Sequence, residues 1–98
     1  MIFEQVKEKM GDAIVNLNYA ELFTTDNNIK REIVSISNKV KMISTNPHKE
    51  ISSKEVEEVC SSIDSIVKDT DNTSVQTNLS EAKEDLQKVV EVLENINQ

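Results

Sequence analysis

Any reaction this chain carries out must be built from one histidine, one cysteine, eighteen carboxylates and its hydroxyls. His48 stands beside Pro47 in a turn-forming stretch, whereas a phosphotransfer bundle needs its histidine on an exposed helical face. Cys60 shares an apolar row with Val59, Ile63 and Val67 and has no basic neighbour nearer in sequence than Lys54. It reads as a small hydrophobe, since a reactive thiolate needs a cation or a helix N-terminus to lower its pKa. Asp69, Asp71 and Thr73 match the opening of a calcium loop, but Ser74 stands where glycine is required and Ser80 where the bidentate glutamate belongs. That stretch is expected to be a polar turn. Glu57 with Glu58, and Glu84 with Asp85, are adjacent pairs that point about 100° apart on a helix, so neither pair converges on one proton or one metal. The sequence contains no glycine-rich phosphate loop, no nucleophile elbow, no Cys-x-x-Cys pair and no histidine cluster. The expectation is a non-enzymatic protein without cofactor or metal.

The elements that hold these residues are read from apolar spacing. Val75, Leu79, Ala82, Leu86, Val89, Leu93 and Ile96 recur every three or four residues, which places them in one stripe of a helix. Three earlier segments repeat the rhythm. Phe3, Val6, Met10, Ala13, Leu17 and Ala20 form the first stripe, and Ile29, Ile33, Ile36, Val40 and Ile43 the second, which Val34 and Met42 are expected to widen. Val56, Val59, Ile63, Ile66 and Thr70 form the third, with Cys60 and Val67 beside them.

Between the stripes lie residues whose side chains bond local backbone. Residues 24–28 run Thr-Thr-Asp-Asn-Asn, Pro47 closes the second segment, and residues 69–74 form the last connection. Ser52 and Glu55 have the capping-box spacing at the start of the third helix. The fourth helix has two candidate starts, Thr73 and Asn78, and Val75 in register with the later stripe favours the first. Gly11 followed by Asp12 marks a candidate kink in the first helix. The sequence therefore predicts an all-α, antiparallel up-down-up-down four-helix bundle with helices near 2–23, 27–44, 52–69 and 73–97, as one domain over 1–98.

Composition narrows the function classes. The net charge is −7, and all of it resides after His48, where twelve acids face five lysines; the first 48 residues balance at six and six. Such a surface repels phosphate, so neither nucleic acid nor an anionic membrane is expected as a partner, and a basic protein is. No segment reaches the roughly 18 apolar residues of a membrane span, no charged leader precedes an apolar run, and the single cysteine fits a reducing compartment. A cytoplasmic location is expected. Abundant Ile, Asn, Lys and Glu fit a bacterial or phage source.

One group of residues does not fit the core. Val15, Tyr19 and Leu22 form their own row at spacings of four and three, and with Phe23 they would make an apolar patch on the outer face of the first helix. The alternative buries both rows, through a kink at Gly11 or through enclosure of that helix. A second surface is the acidic face of Glu55, Glu57, Glu58, Asp64, Glu81, Glu84, Asp85, Glu91 and Glu94, for which solvation is the default and docking onto a basic protein the alternative. The function expected is protein binding through the helix-one patch or the acidic face, as in immunity proteins, secretion chaperones or phage-encoded inhibitors. The alternative is a structural or assembly subunit that works as a homodimer.

Overall fold

The computed structural model describes residues 2–45 and 51–96, with side chains for 4–45 and 51–95. It contains helices α1 (Ile2–Phe23), α2 (Asn27–Ser44), α3 (Ser53–Asp69) and α4 (Thr73–Ile96), and no strand among the described residues. Their ends follow from local hydrogen bonding. Asp26, in extended conformation, accepts the Asn28 and Ile29 N–H groups at 2.8 and 3.2 Å and so satisfies donors that the first turn of α2 leaves free. Ser52 caps α3 by accepting from the Glu55 N–H at 3.5 Å, which is the serine arm of the predicted capping box.

The start of α4 is decided by Asn72. Its Oδ1 accepts the Val75 N–H at 3.2 Å and its carbonyl accepts from Gln76 at 3.0 Å, so Thr73 is the first helical residue. Asn78 is an interior position whose amide donates to the Ser74 carbonyl at 2.9 Å. α1 runs unbroken through Gly11, and Asp12 lies inside the helix, at 3.9 Å from Lys9, instead of capping a second one.

Each helix packs against its sequence neighbours, and α1 packs against α4 to close the ring, which leaves α1 diagonal to α3 and α2 diagonal to α4. Bonds between helices show the directions. Asn16 Nδ2 donates to Asp85 at 3.0 Å and Asn72 Nδ2 donates to the Phe23 carbonyl at 3.0 Å, so numbers rise along α1 as they fall along α4. Lys83 with Asp64 and Gln76 with the Val67 carbonyl show the same for α3 and α4, and Lys39 with Glu58 agrees for α2 and α3. The fold is the antiparallel up-down-up-down bundle. Its extents of 40 × 20 × 18 Å are those of four helices side by side, since the 24 residues of α4 span roughly 36 Å.

The core is built from the predicted stripes, except that Thr70 follows the end of α3 in extended conformation and stays out of it, and the side chains of Phe3 and Ile96 lie outside those described. Val6, Met10, Ala13, Leu17 and Ala20 of α1 are buried, as are Ile29, Ile33, Ile36 and Val40 of α2, Val56, Val59, Ile63 and Ile66 of α3, and Val75, Leu79, Ala82, Leu86 and Val89 of α4. Ile43 and Leu93, near the helix ends, are half-buried. Burying one such leucine or isoleucine contributes about 1.5–3 kcal/mol, which is why the stripes decide the packing. Ala13, Ala20 and Ala82 are the small members of the core and belong to α1 and α4, the two helices whose backbones run close together over the longest stretch. Met42 is a correction: it does not widen the α2 seam but is 73% exposed, because two residues past Val40 turn it about 200° to the outer face. Ser37 is the one buried polar side chain among the described residues, and its Oγ has no hydrogen-bond partner.

Candidate interaction surface

The row that the core leaves over lies on the outside of α1. Val15 and Phe23 are each 50% exposed, Tyr19 49% and Leu22 76%. The reason is rotational: Val15, Tyr19 and Leu22 each stand two residues, about 200°, past the buried Ala13, Leu17 and Ala20. The alternative in which both rows are buried does not hold. Of the predicted patch, Val15, Tyr19 and Leu22 share one face, while Phe23 ends the helix to one side of it and its carbonyl receives the Asn72 amide.

Charge is withheld from the same stretch. From Ala13 to Thr25 the only ionisable group apart from the Tyr19 phenol is Glu21, and it is half-buried. The N-terminal half of α1 carries Glu4, Lys7, Glu8, Lys9 and Asp12. The outer face of this helix is therefore polar at one end and apolar at the other.

The remaining candidates are engaged in holding the bundle. Cys60 is buried, and burial pushes its thiol pKa up; Lys83 opposes the shift, while Asp64 and Glu57 add to it. Lys83 is committed to Asp64, whose two oxygens it meets at 2.7 and 2.9 Å. Asp85 is half-buried between α4 and α1, and desolvation raises its pKa; the Asn16 hydrogen bond opposes this, Asp12 adds to it, and Lys9 and Lys88 oppose it. The acidic face is thus interrupted, with Asp64 paired to Lys83, Glu58 lying 3.9 Å from Lys39, and Asp85 turned towards Asn16. The adjacent pairs diverge as their spacing requires: Glu57 borders the groove between α3 and α4, while Glu58 faces α2.

Thr70 spends its side chain on the loop itself, where its hydroxyl accepts the Asn72 backbone N–H at 3.2 Å. No group of three or more His, Cys, Asp or Glu side chains that could hold a metal ion is found among the described residues. No helix among the described residues is long and apolar enough to cross a membrane. His48 and Pro47 lie outside the described residues. Shallow grooves line the surface, among them one between α2 and α3 and one between α3 and α4. The one between α2 and α3 has polar walls of Arg31, Ser35, Ser62, Ser65 and Asp69 over Ile36 and Ile66. The one between α3 and α4 is flanked by Glu57, Asp64, Lys83 and Glu91.

The interhelical partnerships of Asn16, Asn72 and Asp85 were not legible in the sequence, because nothing in a linear reading says which polar residues of α1 and α4 will meet. Comparison with known proteins returns no match: no family model fits the chain, and no curated protein or solved structure is significantly similar to it.

Proposed function

We propose that this bundle is a non-enzymatic protein-interaction module that docks through the outer face of the C-terminal half of α1. One observation carries the reading: Val15, Tyr19, Leu22 and Phe23 are all about half exposed or more, in a stretch from Ala13 to Thr25 whose one charged side chain is the half-buried Glu21, although each loses free energy by facing water. Aromatic and aliphatic anchors surrounded by uncharged rim residues such as Asn18 and Thr25 are the composition of an interface core. The acidic face is the weaker surface, because its central carboxylates already have partners within the bundle. Immunity proteins, secretion chaperones and phage-encoded inhibitors acting in the cytoplasm are functions of this kind, by analogy of fold alone.

The test is affinity capture from the native host with wild type and Leu22→Asp, alongside a control substitution on the exposed side of α4, Glu84→Gln. The expected result is a protein retained by wild type and by Glu84→Gln and lost with Leu22→Asp, with circular dichroism unchanged in all three. Capture of the same proteins by wild type and Leu22→Asp would remove the α1 face as the docking surface.

A further inference from the structure

The outer face of α1 has an order that extends beyond its apolar patch. Glu8, Asp12, Val15, Tyr19 and Leu22 are spaced by four, three, four and three residues, and all five are exposed. The buried seam Val6, Met10, Ala13, Leu17 and Ala20 has the same spacing, displaced by two residues. α1 therefore carries two heptad seams on opposite sides, one filled by the bundle and one empty among the described residues. The outer seam is acidic at its first two positions and apolar at its last three.

We infer that this outer seam is one strand of an intermolecular helix pair, and that the partner is an amphipathic helix with three apolar seam residues opposite Val15, Tyr19 and Leu22 and lysine or arginine opposite Glu8 and Asp12. The inference rests on the proposal that the α1 face binds protein, and it specifies the chemistry of what binds. A helix laid along the seam desolvates two carboxylates, and a desolvated carboxylate is tolerated only when paired with a cation. Lys9 does not fill that role, since it reaches Asp12 only at 3.9 Å with both side chains largely in water. α1 itself holds Glu4, Glu8, Asp12 and Glu21 against Lys7 and Lys9, a small acidic excess that favours the approach of a basic helix.

A second copy of the chain does not fit. In antiparallel full overlap, Glu8 falls opposite Leu22 of the second copy and Asp12 opposite Tyr19, so carboxylates meet apolar side chains. In parallel overlap, Glu8 and Asp12 meet their own like charges. A shorter antiparallel overlap of the apolar positions alone covers on the order of 400 Å² per copy, about half of the 800 Å² that a stable interface takes from each partner.

The probe is a pair of synthetic, side-chain-stapled helical peptides of about 20 residues, long enough to span the roughly 21 Å from Glu8 to Leu22. Both carry leucine at three seam positions; one has lysine and the other glutamate at the remaining two. Fluorescence anisotropy should show the lysine peptide binding at least about tenfold more tightly than the glutamate peptide, with the preference shrinking between about 50 and about 500 mM salt. Leu22→Asp should abolish binding, and the double substitution Glu8→Lys with Asp12→Lys should reverse the preference, with circular dichroism confirming that both variants stay helical. Equal affinity for the two peptides, or none for either, overturns the inference. So does a dimer in sedimentation equilibrium that Tyr19→Glu disperses. If host capture still depends on Leu22 while the lysine peptide fails, the docking face stands and its assignment to a basic helix falls.

Discussion

Replacing Gly11 with alanine should stabilise the bundle. Gly11 lies in the middle of α1, on an exposed face, with backbone dihedrals on the negative-φ side that any L-residue adopts. A Cβ built there meets nothing within 4 Å, so the folded state accepts the methyl group without strain. The gain comes from the unfolded chain, which loses conformational freedom when glycine becomes alanine. In a helix interior the difference is about 0.8–1.0 kcal/mol. For a domain near this length, 1 kcal/mol moves the midpoint by roughly 4–8 °C, so thermal unfolding followed by far-ultraviolet circular dichroism should show Tm rising by about 4 °C. Gly11→Pro supplies the opposite control: it removes a backbone donor and clashes with the preceding turn, at about 3 kcal/mol or more. An unchanged or lowered Tm for Gly11→Ala would refute the reasoning, because it would mean that α1 needs the freedom of glycine at that position after all.

Two further outcomes follow from contacts between α1 and α4. Desolvation raises the Asp85 pKa in the folded state, so its contribution to stability is present below the unfolded carboxylate pKa and is lost as pH rises through the folded value. Asp85→Asn should therefore raise the urea midpoint at about pH 7 and narrow the advantage at about pH 4; an equal or lower midpoint at neutral pH would show that the charged Asp85–Asn16 bond outweighs the burial penalty. Asn72→Ala removes both the cap of α4 and the tie to the Phe23 carbonyl, and should lower stability by about 1–2 kcal/mol in urea titration. A loss no larger than that of a neutral surface substitution such as Thr77→Ala would show that neither bond contributes.

Much of the architecture was legible because the relevant signal is local. Spacings of three and four residues specify which side of each helix is buried, and Asp26, Ser52 and Asn72 occupy the positions where helix ends need acceptors for free N–H groups. Met42 departs from the stripe for a local reason too: it is apolar, but two positions past Val40 rotation carries it to water. The start of α4 stayed open between Thr73 and Asn78 because both are preceded by, or consist of, residues able to cap. Asn72 closes it by accepting from Val75 and Gln76, and the same side chain is held in place by its bond to the Phe23 carbonyl, 49 residues away in sequence.

By itself, then, the amino-acid order determined four amphipathic helices, their approximate limits and the identity of the buried stripes, since these depend on rotation per residue and on hydrogen bonds that reach only a few positions. Tertiary structure alone decided that α1 neighbours α4, that Asn16 meets Asp85 across 69 residues of chain, and that Val15, Tyr19 and Leu22 stay in water. The physical reason is that desolvation and partnership belong to pairs of surfaces. A side chain's exposure is settled only when every neighbouring helix has taken its place, and around α1 those places were filled on the inner side and left open on the outer one.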